Sequence, residues 1–86
     1  MVEKSFYHVC TDGNKIDWLF RDDCDFIAGV NRIGICVYIT KIDLYSFVLM
    51  DNHVHFLVFG TLPECKAFIN KYKQLTGKWI KNKYNL

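Results

Sequence analysis

Apolar residues recur along this chain with two different periods, and the switches between them predict its elements. Phe6-Tyr7-His8-Val9-Cys10-Thr11 is rich in β-formers and reads as a first strand, stopped by the turn signal Asp12-Gly13-Asn14. Ile16 to Phe20 is a short apolar patch, an extended segment feeding a helix. Asp22-Asp23 suit a helix N-terminus, and Phe26, Ile27, Val30, Ile33 and Val37 then recur at three- and four-residue spacing. That is the period of an amphipathic helix packed on one side. Gly29 and Gly34 weaken it, and the β-branched tail Ile35 to Thr40 leaves its end open by several residues.

Strand periodicity returns at Asp43 to Asp51, where Leu44, Ser46, Val48 and Met50 alternate with Tyr45, Phe47 and Leu49. Asp51-Asn52 is a two-residue turn signal, and another apolar run follows it to Gly60. Two strands so close together predict a tight antiparallel hairpin. Thr61 is a good N-cap, Pro63 suits a first helical turn, and Glu64 stands in capping-box register with Thr61. A long helix is expected from about Leu62 to Asn82. Cys65, Phe68, Ile69, Tyr72, Leu75, Thr76 and Trp79 line one face, and lysines fall mostly on the other.

The order of elements predicts an α+β domain with a ferredoxin-like antiparallel sheet and two helices on one face. The final strand of that plan is missing from the pattern. At 86 residues, residues 1–86 form a single domain, and with 51% hydrophobic residues it can build a core unaided. No apolar run reaches the roughly 18–20 residues of a membrane span. The N-terminal Met-Val-Glu-Lys-Ser lacks a signal-peptide layout, so no membrane partner and a cytoplasmic location are expected. Cys10, Cys24, Cys36 and Cys65 form no C-x-x-C pair and read as free, small buried hydrophobes.

The net charge of +2 is unevenly spread. Residues 62–86 carry Lys66, Lys71, Lys73, Lys78, Lys81 and Lys83 against Glu64 alone, whereas acidic residues outnumber basic ones before them. A basic segment of this kind reads either as a phosphate-backbone footprint or as a solvated helix face. Lys71, Lys73, Lys78 and Lys81 are the candidate DNA-binding residues. Asp22, Asp23 and Asp25 read as a capped helix start in preference to a second cation site. Trp18, Trp79 and the tyrosines read mainly as core residues, with base stacking as the alternative.

The distinctive chemistry lies in His53 and His55. Side chains two apart on a strand share a face, so the two imidazoles project together while Val54 and Phe56 point the other way. Such a pair chelates a divalent cation or grips a phosphate; the alternative is two structural histidines. His8, on the first strand, becomes their neighbour if the strands are adjacent.

Val48-Leu49-Met50-Asp51-Asn52-His53-Val54-His55-Phe56-Leu57-Val58 resembles the single-tyrosine HUH transposases. More narrowly, it is similar to the branch associated with repetitive extragenic palindromes. The hallmark is a Met-x-Asn-His-hydrophobic-His strand after another apolar strand. Phe6-Tyr7-His8-Val9, Leu19-Phe20-Arg21-Asp22-Asp23 with Asp25-Phe26, and the basic helix from Pro63 extend the resemblance over nearly the whole chain.

The resemblance implies that His53, His55 and a polar side chain of the late helix hold Mg²⁺ or Mn²⁺ against the scissile phosphate of single-stranded, hairpin-forming DNA. It implies a tyrosine nucleophile on that helix, a 5′-phosphotyrosine intermediate and a homodimer. The late helix departs from the family pattern. Gap-free alignment of Phe68, Trp79-Ile80 and Tyr84 puts Thr76 where the nucleophile is expected. Tyr72, one turn earlier on the same face, is then the candidate catalytic residue, with Thr76 or Gln74 supplying an oxygen near the metal; Tyr84 is a weaker candidate. Family members also usually continue beyond this helix. Three functions stay open: a DNA strand transesterase, a catalytically inactive DNA-binding remnant, and an unrelated ferredoxin-like structural domain.

Overall fold

The computed structural model describes residues 3–11 and 20–85. The turn expected at Asp12–Asn14, most of the extended segment from Ile16, and Trp18 lie outside these residues. The elements are β1 (Ser5–Cys10), α1 (Asp23–Thr40), β2 (Asp43–Leu49), β3 (Val54–Gly60) and α2 (Leu62–Tyr84). The strands form one antiparallel sheet in the order β1-β3-β2, so the histidine strand lies in the middle. This is an α+β fold with three strands and two helices among the described residues. No helix there is long and apolar enough to cross a membrane.

The hairpin forms as its pattern requires. Met50 N–H donates to the His53 carbonyl at 2.8 Å, closing the turn around Asp51-Asn52. On β3, Val54, Phe56 and Val58 are fully buried and their alternates are not, so the strand's parity separates core from open face. Phe56 packs edge-on against Phe68 and Tyr72 of α2, with ring centroids 5.0 and 5.1 Å away. The helices cover this side of the sheet.

α2 starts with the expected capping box: Glu64 N–H donates to Thr61 Oγ1 at 3.2 Å, and Thr61 N–H donates to Glu64 Oε1 at 2.8 Å. α1 is capped by Asp22, whose carboxylate accepts from Asp25 N–H at 2.9 Å. Its end, left open by the sequence, is set by Lys41 in the left-handed region, φ 60°, with its N–H on the Val37 carbonyl.

The packed face of α1 is shifted from the expected one: Phe26, Ile33 and Val37 join the core as expected, and Ile27 and Val30 do not. Asp25, Ala28, Gly29, Ile33 and Cys36 are buried, whereas Ile27 is 60% exposed and Val30 43%. The helix must face both the sheet and α2, and it does so through its small residues. A Cβ on Gly29 would lie 2.6 Å from Phe20 Cε1 and 2.9 Å from Leu49 Cδ2, so glycine is what permits the close approach.

Candidate metal and nucleic-acid site

β1, β2 and β3 leave one sheet face uncovered by the helices, and all three histidines gather on it. Cys10 pairs with His55 across the sheet and His8 pairs with Leu57, which puts His8 diagonal to His55. His8 Nε2 and His55 Nδ1 lie 2.8 Å apart and share a hydrogen bond, with the rings stacked 4.9 Å between centroids. The His53 ring meets His55 edge-on at 4.7 Å. His8 is exposed and the other two are half-buried.

Two residues hold this arrangement in place. Thr11 Oγ1 accepts from Val54 N–H at 2.9 Å, and Thr11 N–H donates to the Val54 carbonyl at 3.0 Å. The backbone between the two histidines is thereby tied to the end of β1. Asn52 Oδ1 lies 2.6 Å from His53 Nδ1, so that nitrogen donates to the amide oxygen. The Asn52 side chain thus orients the ring, beyond the turn-forming role its position suggests. Thr11 carries no spacing signal in the sequence and was found only through the fold.

Desolvation by the surrounding protein, with His53 and His8 alongside, holds the His55 pKa below the ordinary imidazole value. The ring is therefore neutral at pH 7, the form that ligates metals. The donor chemistry fits a divalent ion: a neutral imidazole, a second one with its far nitrogen fixed by an amide, and rings in contact. As placed, His8 and His55 bond to each other instead of converging on a point. Among the described residues, no group of three or more His, Cys, Asp or Glu side chains is arranged to hold an ion.

The residues expected from α2 do not join this face. Tyr72, the expected nucleophile, is fully buried on the helix side, and its hydroxyl donates to the Gly29 carbonyl at 3.2 Å. Burial pushes its pKa up to about 12. A phenol so placed neither ionises readily nor meets DNA, so Tyr72 is a core residue and the expectation is corrected. The reason is the α2 periodicity itself: Tyr72 falls at the centre of the buried stripe Cys65, Phe68, Ile69, Thr76 and Ile80. Thr76 is 3% exposed in the same layer, away from the histidines. Gln74 bonds Lys71 at 3.5 Å on the outer side of the helix.

Tyr84 is also engaged elsewhere. Its hydroxyl donates to the Asp25 carboxylate, and the Arg21 guanidinium lies 4.2 Å from its ring centroid. Lys83 bridges Asp22 and Asp25, each at 2.8 Å. Asp22 thus caps the helix, and it shares Lys83 with Asp25.

Lys73, Lys78 and Lys81 line a shallow groove on the solvent side of α2, with Gln74, Gly77 and Asn82. Lys71 is half-buried beside it. Since the opposite side of α2 packs toward the sheet, the lysines and the histidines occupy opposite surfaces of the domain. The open sheet face carries aromatic side chains instead. Phe6 and Tyr45 are 56% and 62% exposed, and the Phe6 ring lies 5.0 Å from Tyr45 and 4.8 Å from Phe59. The cysteines also divide. Cys36 and Cys65 are buried, as expected, whereas Cys10 and Cys24 are exposed. Cys10 shares strand parity with His8, so it faces outward.

No family model matches the chain, and no curated protein or solved structure is significantly similar to it.

Proposed function

We propose that this chain is a transposase-type domain that binds single-stranded DNA on its open sheet face, where the histidines hold a divalent ion against a phosphate. The observation that carries this reading is the position of His53 and His55 on the middle strand, on the face opposite the helices, with His8 in contact. The order β1-β3-β2, with α1 linking the outer strands, fits three strands of a ferredoxin-like plan.

His53 and His55 are the residues that would hold the ion. When bound, a divalent ion supplies Lewis-acid polarisation of a phosphoryl oxygen and a template for its orientation. Asn52 and Thr11 keep the two ligands in register, and the neutral state of His55 keeps its lone pair available. Phe6 and Tyr45 offer π-faces on which unpaired bases stack, which favours single strands over duplex. The lysines of α2 act on this reading as a separate electrostatic surface that attracts DNA without positioning it at the histidines.

Cleavage and rejoining through a 5′-phosphotyrosine link belong to the same reading as its catalytic form. A phenolate oxygen attacks phosphorus, the bond to the 3′-oxygen breaks, and the leaving 3′-oxyanion takes up a proton to become the free 3′-hydroxyl. The burial of Tyr72 favours the second form, a module that binds DNA without cutting it. Incubation with labelled single-stranded hairpins and Mn²⁺, followed by a denaturing gel, separates the two. A covalent adduct identifies a transesterase, and metal-dependent binding without an adduct identifies the binding module. Pairing of two domains on hairpin ends completes the proposal, and sedimentation with and without DNA tests it.

A further inference from the structure

We propose that the flank of the sheet beside β2, under α1, accepts one further strand from a partner protein: an uncharged extended segment with apolar side chains at alternate positions. This surface is separate from the histidine face, and its use depends on neither metal nor DNA.

The proportions of the two layers leave room for it. Neighbouring strands lie about 4.8 Å apart, so three of them span about 14 Å. Two helices of about 10 Å diameter, packed side by side, cover about 20 Å. The helix layer is therefore wider than the sheet by about one strand, and the groove shows on which side. Val30, Gly34 and Val37 of α1 face Ile42, Leu44 and Phe47 across an open groove of about 780 Å³. Phe47 pairs with the buried Phe56 and so shares its helix-side face, yet it stays 42% exposed. A Cβ on Gly34 would meet nothing within 4 Å. Ile27 and Tyr38, also exposed, continue the same stripe of α1.

The edge of β2 dictates the shape of the occupant. Among the described residues β2 pairs only with β3, so its outer N–H and C=O groups are open to a further strand. Exposed edges are commonly blunted by lysine, another charge or proline, and residues 44–50 contain none of these. A bulge between Leu44 and Ser46 leaves residues 46–49 as the regular part of the edge. A strand bonded there turns every second side chain into the groove, against Val30, Gly34 and Phe47, where apolar groups are buried without loss of a hydrogen bond. A second copy docked through its own β2 fits poorly. Strands about 4.8 Å apart would hold the two α1 helices nearer than the roughly 8–10 Å that packed helices keep. A lone strand brings no such helix.

Fluorescence anisotropy of the full chain with a set of labelled, short extended peptides tests the site. The peptides carry Val, Ile, Leu or Phe at alternate positions with Thr between them, and each has a counterpart N-methylated at alternate backbone nitrogens. At least one peptide should bind, and its methylated counterpart should bind at least about tenfold more weakly, because the ladder bonds are lost. Gly34→Leu, which fills the groove from an open position, should keep the fold by circular dichroism and weaken the same peptide by at least about tenfold. Amides of residues 46–49 should gain protection from hydrogen exchange in the complex. No binding by any peptide of the set, or equal binding by the methylated peptides or by the Gly34→Leu protein, would overturn the proposal. A dimer in sedimentation that Gly34→Leu dissociates would overturn the occupant in favour of a second copy.

Discussion

Tyr72 and His55 lie on opposite sides of the middle strand. The Tyr72 ring packs edge-on against Phe56 at 5.1 Å, while His55, the residue before Phe56, projects to the other face and bonds His8. Tyr72→Phe should therefore act on stability alone. It removes the bond to the Gly29 carbonyl and should cost about 1 kcal/mol, since that carbonyl sits within a helix and keeps its backbone partner. Urea unfolding measures the loss. Any covalent DNA adduct formed by the wild-type protein should persist in this variant at undiminished yield.

The contact between α1 and α2 should make stability depend on pH at both ends of the scale. For Asp22, the Lys83 ammonium is the main cause that holds the pKa below the ordinary carboxylate value. For Asp25, burial pulls upward, and the hydrogen bonds from Lys83, Tyr84 and the Arg21 N–H together outweigh it. Below about pH 4 the unfolded chain then binds protons that the folded one does not, so stability is present above that range and lost as pH falls through the folded values. Lys83 is shifted upward by the same two carboxylates, and its contribution is lost as pH rises past the ordinary lysine range. Thermal melts from pH 2 to 11 should show both flanks. Asp25→Ala should reduce both flanks, and the Asp22–Lys83 pair that remains should keep part of each, so that only the double variant Asp22→Ala/Asp25→Ala flattens them.

Gly29→Ala should destabilise in spite of the higher helix propensity of alanine. The added Cβ meets Phe20 at 2.6 Å and Leu49 at 2.9 Å, and overpacking of this kind costs about 1–3 kcal/mol. Gly34→Ala, on the same helix with no neighbour within 4 Å, should stabilise by up to about 1 kcal/mol. Opposite signs from the two substitutions in denaturant unfolding would verify the close approach of α1 to the hairpin.

The sequence made the hairpin, the α2 capping box and the outward parity of His53 and His55 legible, because each depends on neighbours within a few residues. The packed face of α1 was legible only in part: Phe26, Ile33 and Val37 join the core, but its limits did not show. Ile27 and Val30 fit the helical period as well as Ala28 and Cys36 do, and only the presence of α2 decides which side is covered. The same limit applies to Tyr72: its position on the apolar stripe of α2 was plain, but that the stripe faces away from the histidines follows from sheet parity and helix layer together. His8 was visible as a neighbour conditional on strand order, and the order β1-β3-β2 met the condition.

The separation of the lysine and histidine surfaces predicts two independent effects on DNA binding. Phe6→Ala and Tyr45→Ala should each weaken binding of a short unpaired oligonucleotide by about 1–3 kcal/mol, with little change in salt dependence. The triple variant Lys73→Ala, Lys78→Ala, Lys81→Ala should flatten the salt dependence without changing the response to a divalent ion. Binding isotherms over a range of salt concentrations distinguish the two.

Binding of single-stranded DNA by the histidine face through a divalent ion, as we propose, makes affinity depend on the ion. Fluorescence anisotropy of a labelled single-stranded hairpin, measured with Mn²⁺ and again with chelator, tests it most directly on the wild-type and His53→Ala/His55→Ala proteins. The wild type should bind at least about tenfold more tightly with Mn²⁺, and the double variant should show no response to the ion. Equal affinity for DNA in all four conditions would contradict it.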